Sequence, residues 1–287
     1  MKTRRVIVKI LQTGKGTTDY YSTFSYPETA ITFKVDARQD DDPVSCTVRI
    51  MGVSKNTYGY FSTTNKDKYF SSQKIEVYYG YDDDMSLVFT GGIERAMYAF
   101  ENGAQTLIIM ATRNKRAFGN MIKPVSINGK QSLKQALDLV AKQYGYTIKY
   151  GDKVFESISA GRFCFTGTIR EALKSILPKG YGYHVYDKEV YVYHIDKSVP
   201  NEITLWFENG LLNYPTEDTK QENTTIRSTL LPSVEFGTKI NIPVDDVWFA
   251  DYDTGTYKTF VVKTFESSFE NGIGVTTMEC EGGVGLW

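Results

Sequence analysis

Hydrophobic and polar residues alternate along most of residues 1–122. The period is two residues, as in a strand with one buried face, and Val6, Val8 and Ile10 illustrate it. Turn residues separate the alternating runs, which lie at 6–11, 30–35, 46–50, 74–81, 87–92 and 106–112. The pattern predicts a β-barrel or β-sandwich for this first section.

The hydrophobic period changes to that of a helix in the middle of the chain. Two capping-box sequences, at 132–135 and 168–171, each predict a helix start, and apolar residues follow both at helical spacing. A glycine or a proline marks each predicted helix end. A β-hairpin over 183–195 would complete a small α+β domain, which we place at residues 123–198.

Strand patterns return in the last section, residues 199–287. The predicted strands lie at 203–207, 239–242, 259–263 and 274–280. The whole chain is therefore predicted to be mainly β, with two β-barrel or β-sandwich domains, at 1–122 and 199–287, flanking the small α+β domain.

An internal repeat relates the first and last sections. The tetrapeptide Phe-Glu-Asn-Gly stands at 100–103 and again at 269–272, each time between two predicted strands. A third copy, at 207–210, is out of that register. Asn-Gly is a common hairpin turn, so the order of strand, loop, strand, turn and strand is the stronger signal. We expect the two sections to be copies of one β unit.

Composition and charge argue against a disordered chain and against a strongly basic protein that binds nucleic acid. Hydrophobic residues make up 41% and charged residues 23%, as in a packed globular protein. The 33 basic and 34 acidic residues give a net charge of -1, so no strong field would draw the chain to nucleic acid. Aromatic residues reach 14%, which favours β structure. We predict no cleaved leader and no membrane span.

The sequence contains few residues suited to catalysis. The two histidines, His184 and His194, lack acidic or cysteine partners at metal-binding spacing, and we interpret them as partly exposed strand residues. The three cysteines, Cys46, Cys164 and Cys280, form neither a disulfide framework nor a zinc motif. All three fit strands, and we expect buried, inert thiols, Cys164 between its two phenylalanines included.

Acidic clusters and aromatic loops give two further hypotheses. The acidic clusters lie at 40–42, 82–84, 245–246 and 251–253, and we interpret them as solvated turns. Residues 58–61 and 66–70 mix aromatic and basic side chains that could stack on glycans or bases, although a protein contact or half-buried loop is the preferred interpretation. We assign no catalytic, cofactor-binding or metal-binding residue, and no cofactor.

The chain resembles the tail hub proteins of bacteriophages and related contractile injection systems. The residues that carry the resemblance in the last section are GLLNYPTE, STLLPSVEFGTKI, GTYKTFVV and TTMECEG, at 210–217, 228–240, 255–262 and 276–282. The first section, at 75–80 and 89–93, is similar to a first tube-like domain. The middle section resembles the α+β domain between two such domains.

The resemblance implies a mechanical role. Two tube-like domains in each subunit of a homotrimer would form a pseudo-sixfold ring, which adapts a sixfold tail tube to a threefold tip and passes DNA through its bore. The implied partners are further copies of the chain, tail tube or distal tail proteins, and spike, fibre or tip proteins. The resemblance also implies that the protein is located in the virion tail and is not an enzyme.

Two other functions remain open at this point. A cell-wall hydrolase on the tail tip would need a cleft with two carboxylates, one of them with a raised pKa. A glycan- or receptor-binding module would use the tyrosine-rich loops.

Overall fold

The computed structural model describes residues 3–13, 19–37, 44–54, 73–101, 103–113, 122–127, 131–151, 153–156, 158, 160–186, 189–194, 201–213, 215–218, 223–243 and 257–281. Contacts divide the chain into two compact units. The first unit, which we call the sheet unit, combines Met1–Arg113 with Ile203–Trp287. The second, the α+β unit, is Asn114–Glu202. The division of the sheet unit into two tube-like domains stays a prediction.

The strands of the sheet unit confirm a mainly β fold. They are β1 (Arg4–Thr13), β2 (Asp19–Tyr26), β3 (Ile31–Ala37), β4 (Ser45–Met51), β5 (Gln73–Tyr81), β6 (Asp84–Glu101), β7 (Ala104–Thr112), β13 (Glu202–Thr204), β14 (Thr216–Asp218), β15 (Asn223–Thr229), β16 (Lys239–Pro243), β17 (Tyr257–Glu270) and β18 (Ile273–Glu281). The α+β unit contains β8 (Lys123–Ile127), α1 (Leu133–Tyr144), β9 (Thr147–Tyr150), β10 (Phe163–Gly167), α2 (Ile169–Ile176), β11 (Tyr181–Tyr186) and β12 (Glu189–His194).

The two α-helices among the described residues start where the capping-box sequences predict. In α1 the Ser132 hydroxyl accepts a hydrogen bond from the Gln135 backbone N–H, and the Gln135 side chain accepts one from the Ser132 N–H. Thr168 and Glu171 make the same reciprocal pair at α2. The Glu171 carboxylate accepts hydrogen bonds from the Thr168 backbone N–H and hydroxyl, and these two bonds lower its pKa because they favour the ionised form. Gly145 ends α1 in the left-handed conformation, with φ 82°.

The α+β unit has its own hydrophobic core. The apolar face of α1, which includes Leu133, Leu137 and Val140, packs with Phe155 and Ile169. The predicted hairpin is present as the antiparallel pair β11–β12, and β9 adds to β12 in parallel. A separate two-stranded sheet joins β8 and β10. No described helix is both long and apolar enough to cross a membrane.

One part of the last section differs from the sequence prediction. The strand expected at 203–207 ends at Thr204, and a 3₁₀ turn follows over Phe207–Asn209. The Asn209 side chain accepts a hydrogen bond from the Trp206 N–H at 2.7 Å and donates one to the Thr204 carbonyl. These local bonds satisfy backbone groups that a longer strand would have used. The third Phe-Glu-Asn-Gly copy is therefore not a hairpin turn.

The sheet unit is built on one 13-stranded sheet. Its main path runs β14-β15-β18-β17-β3-β4-β7-β6-β5-β1-β2, while β16 pairs with β17 and β13 pairs with β16. Alternate residues of each strand enter a common core, as in β3, where Ile31, Phe33, Val35 and Ala37 are buried. The predicted strand faces around Val8 are confirmed in the same way.

The sheet contains the same six-strand order twice. The first set is β3-β4-β7-β6-β5-β1, and the second is β14-β15-β18-β17-β16-β13. Two of the six matched pairs of strands also have equal lengths: β7 and β18 have 9 residues each, and β4 and β15 have 7 each. The registers match as well, because the first residue of β4 or β15 pairs with the last residue of β7 or β18 (Ser45 with Thr112, Asn223 with Glu281).

A shared irregularity supports the same alignment. The β6–β7 register shifts at Glu94, and the β17–β18 register shifts at Lys263. Each shifted residue stands six positions before the phenylalanine of a Phe-Glu-Asn-Gly turn, Phe100 or Phe269. A β-bulge at one position of a strand is a specific feature that unrelated strands seldom share at the same distance from a turn. The repeat predicted from the sequence is therefore a repeat of strand pairing.

Candidate assembly surface

The two copies of the repeat are joined edge to edge. β17 has β18 along one edge, whereas its other edge holds β16 over residues 257–261 and then β3 over residues 265–269. The β17–β3 pairs run from Phe265 with Ala37 to Phe269 with Phe33. A strand of the second copy thus extends the sheet through the outer strand of the first copy.

Phe269 is the apolar anchor of this junction. It is 1% exposed and its ring lies 5.1 Å from that of Tyr26, 6.0 Å from Phe33 and 5.9 Å from Tyr79. Packing of several aromatic rings adds specific ring geometry to the burial of apolar area. The residues around Phe269 come from β2, β3 and β5 of the first section, so this cluster fixes the second copy against the first section.

A hydrogen-bond cluster continues the junction beyond Phe269. The Arg4 guanidinium donates to the carbonyl of Gly272 at 2.9 Å, and its hydrogen bond to Tyr81 lowers the pKa of that phenol. Burial instead raises the pKa of Tyr79. Both shifts follow from the setting of each phenol, one beside a cation and one inside the core. Tyr79 and Tyr81 therefore have a structural role at this junction.

Phe100, the repeat partner of Phe269, has the opposite environment. It is 75% exposed although it stands at the same position before the turn. On the same strand face, Ala96 is 3% exposed, and Tyr98 between them donates a hydrogen bond to the Val53 carbonyl at 3.2 Å. Phe100 is therefore a core-facing residue whose covering strand is missing among the described residues.

The edge of β6 beside Phe100 explains this exposure. β5 covers β6 only over residues 84–92, and the registered pairs of residues 95–101 are all with β7. Across the part of the chain that the structure describes, no strand pairs with residues 95–101 on the edge away from β7. Among the described strands, β14, the repeat partner of β3, pairs with β15 alone. Each copy thus presents one open edge of the same kind that the β17–β3 pair fills.

Three ion pairs lie at the filled junction or near the open edge of β6. Lys34 of β3 meets Glu266 of β17 at 2.7 Å across the filled junction. Arg49 lies 3.7 Å from Glu101, and Lys263 pairs with Glu281. All three pairs are at least partly exposed, so they neutralise the surface more than they stabilise the fold.

The histidines lie on the predicted hairpin and are not brought together by its register. His184 pairs with Tyr191, whereas His194 pairs with Tyr181, whose ring is 4.8 Å away. His194 is half-buried, as interpreted from the sequence; the side chain of His184 lies outside the described residues. Among the described side chains, no group of three metal-ligating residues exists.

The expectation for Cys164 was wrong. Its thiol is exposed, and its sulfur lies 3.4 Å from the Ser126 hydroxyl. Phe163 and Phe165, on either side of it in β10, pack against the core with stacked rings, so the alternation of the strand turns Cys164 outward. The expectation held for Cys46 and Cys280, which are buried, and burial raises the pKa of both thiols.

The remaining candidates are mostly outside the described residues. Of the acidic clusters, only 82–84 is described; it is the exposed turn between β5 and β6, as predicted, with Asp82 at φ 52°. The clusters at 40–42, 245–246 and 251–253 and the aromatic loops at 58–61 and 66–70 are not described. In the Tyr-rich hairpin, burial raises the pKa of Tyr183 and Tyr193 to about 12.

Sequence reasoning did not identify the open edges. The signal it had was the repeated tetrapeptide, which placed Phe100 and Phe269 in equivalent positions. Their different burial, 75% against 1% exposed, depends on which distant strand lies beside each of them. That choice is made by tertiary pairing, which the alternation of hydrophobic residues does not encode.

The fold is similar to that of solved phage tail proteins and of a type VI secretion protein. The tail protein from Neisseria meningitidis MC58 superposes with a TM-score of 0.62 at 11% identity, over 99% of this chain and 98% of that one. The 43 kDa tail protein of prophage MuSo2 from Shewanella oneidensis gives 0.59 at 10% identity, over 97% and 96%.

A third solved structure extends the comparison to secretion systems. The E. coli c3393 protein, described as a type VI secretion component similar in structure to the T4 tail proteins gp27 and gp5, gives a TM-score of 0.58 at 7% identity, over 88% of this chain and 74% of that one. By sequence alone, the chain matches no family model and no curated protein. The resemblance to tail hub proteins is thus confirmed at the level of the fold.

Proposed function

We propose that this protein is a structural component of a phage tail, a homotrimeric hub. Its ring would join a sixfold tail tube to a threefold tip. The observation that carries the proposal is the duplicated six-strand order, with its matched registers and matched bulges at Glu94 and Lys263. The similarity of the fold to tail proteins supports the same assignment.

Symmetry explains why duplication suits an adaptor. A sixfold tube ends in six equivalent surfaces, and three identical subunits can meet all of them only if each offers two similar surfaces. The two copies of the repeat, joined through β17 and β3, supply such a pair. The two copies also differ, for instance in the burial of Phe100 and Phe269, so a trimer keeps threefold symmetry toward the tip.

Weak attraction for nucleic acid agrees with a ring that passes DNA. The formal net charge is -1, and acid–base pairs form at the filled junction, between Lys34 and Glu266, and near the open edge of β6, between Arg49 and Glu101. DNA affinity depends on unpaired Lys and Arg that neutralise phosphates. A balanced surface would let DNA slide through the bore without being held. The other proposed partners are tail tube or distal tail proteins above the ring and spike, fibre or tip proteins below it.

The mass of the native assembly tests this proposal. Native mass spectrometry of the purified full chain should give about 98 kDa, three times the 32.5 kDa of one chain. Two-dimensional class averages from electron microscopy of the same sample should show a ring of six densities. These densities should alternate between two similar kinds, three of each. A single 32.5 kDa species at high protein concentration would contradict the proposal.

A further inference from the structure

We infer that the subunits of this assembly join by β-strand addition: residues 95–101 of β6 in one copy pair antiparallel with β14 of the next copy. The inference rests on the proposed homotrimer and identifies the strands through which its subunits would make contact. The occupant of the open edge is thus a second copy of this chain.

The filled junction within the chain is the template. β17 and β3 pair from Phe265 with Ala37 to Phe269 with Phe33. The matched registers make β6 equivalent to β17 and β14 equivalent to β3. Within one chain the second copy's β17 meets the first copy's β3. The remaining pairing, of the first copy's β6 with the second copy's β14, does not occur among the described residues of one chain.

The template also fixes the register between copies. Transfer of the β17–β3 pairs onto β6 and β14 places Met97 opposite Asp218, Tyr98 opposite Glu217, and Ala99 opposite Thr216. The contact is heterologous, because two different edges meet, and heterologous contacts generate a ring when the rotation closes. Six similar junctions, three within chains and three between them, would then complete the ring.

Phe100 provides a second, independent observation. It is 75% exposed, whereas its repeat partner Phe269 is 1% exposed in a cluster of three aromatic rings. Both face the same side of their strands as buried neighbours, Ala96 and Phe265. A strand of a neighbouring copy beside β6 would cover Phe100 as β3 covers Phe269. Open strand edges with apolar residues are the surfaces through which β proteins associate.

Cysteine cross-linking tests the register directly. In a Cys164→Ser background, which removes the exposed thiol, we would prepare Ala99→Cys/Thr216→Cys and Tyr98→Cys/Glu217→Cys. Neighbouring antiparallel pairs alternate between wide and narrow spacing, so one of the two suits a disulfide better. The control, Ala99→Cys/Asp218→Cys, is shifted by two residues. Mild oxidation should give covalent trimers from an in-register pair and not from the control.

A separate substitution tests the anchor. Phe100→Ser should weaken the trimer at least about tenfold in native mass titrations, whereas Leu139→Ser, which replaces an exposed apolar residue of α1 in the α+β unit, should leave it unchanged. Equal effects of the two substitutions would overturn the role of Phe100.

The possible results separate the junction from the assembly. A native trimer without in-register cross-links, or with equal cross-linking of the shifted control, overturns the junction and leaves the proposed function intact. A covalent ladder longer than three chains supports the junction and contradicts a closed trimeric ring. A parent chain that is monomeric at every concentration contradicts both.

Discussion

At the scale of single residues, Arg113 and Glu235 hold the first and last sections together. Arg113 follows β7 and Glu235 precedes β16, and one guanidinium nitrogen donates to both carboxylate oxygens, at 2.8 and 3.0 Å. Only 7% of the Arg113 side chain is exposed, and its guanidinium carbon lies 5.7 Å from the centre of the Phe89 ring. A charge this buried depends on its partner, because little water can replace it.

We therefore expect Glu235→Gln to lower the free energy of unfolding by about 3 kcal/mol, the usual cost of leaving a buried charge without its counter-ion. Glu266→Gln is the matched control: it breaks the 2.7 Å pair with Lys34, in which both side chains are nearly half exposed, and should cost less than about 1 kcal/mol. Urea titrations of both variants measure the difference. Equal losses would show that burial of Arg113 has no special energetic role.

The cysteines give a second prediction at this scale. In the native protein, a thiol reagent should modify one thiol per chain, Cys164, because the sulfurs of Cys46 and Cys280 are buried and their raised pKa values keep them protonated. In denaturant all three thiols should react. The variant Cys164→Ser should show no rapid reaction in the folded state. Rapid modification of two or three native thiols would contradict the burial of the strand cysteines.

At the scale of elements, the two Phe-Glu-Asn-Gly hairpin turns allow the same turn to be compared in two different surroundings. Gly103 and Gly272 both have φ values in the left-handed region, 77° and 79°. A Cβ atom at Gly103 would meet no atom within 4 Å, whereas one at Gly272 would lie 2.9 Å from the hydroxyl oxygen of Tyr26. The same turn therefore stands in open space in one copy and against the aromatic cluster in the other.

Gly103→Ala should lower the free energy of unfolding by about 1 kcal/mol, the cost of a left-handed residue with a side chain. Gly272→Ala should cost about twice as much, since the new methyl group also displaces the Tyr26 hydroxyl. In a Tyr26→Phe background the excess should disappear, which chemical denaturation of the parent, the three single variants and the Tyr26→Phe/Gly272→Ala double variant would measure. Equal losses at the two glycines would contradict the difference in their surroundings.

Some features of these elements could be predicted from the sequence, and others could not. The helix starts at Ser132 and Thr168 and the buried alternation of β3 were predictable, because capping and amphipathic spacing are local. The exposure of Cys164 was missed, since two flanking phenylalanines indicate a strand but not which face is covered. The pairing of β17 with β3 was also unpredicted, because it joins residues more than 200 positions apart and rests on tertiary packing.

At the scale of the whole molecule, the sheet unit has a duplicated interior and unmatched edges. Each copy of the repeat buries its own strand faces in the common core. The edges of β6 and β14 differ from this: one carries the exposed Phe100 and the other ends the described sheet. Association between chains would remove both edges at once, so the stability of the proposed homotrimer should depend on the concentration of chains.

We expect the unfolding temperature of the parent chain to rise as its concentration increases from about 1 μM to about 100 μM, because association stabilises only the folded form. Phe100→Ser should flatten this dependence, since it removes the apolar side chain that a neighbouring strand would cover, whereas Leu139→Ser should preserve it. Differential scanning calorimetry across the concentration range measures all three slopes. An unfolding temperature that is independent of concentration in the parent would mean that the chain folds to completion alone, with both edges satisfied by its own residues, and the homotrimer would then have no energetic basis.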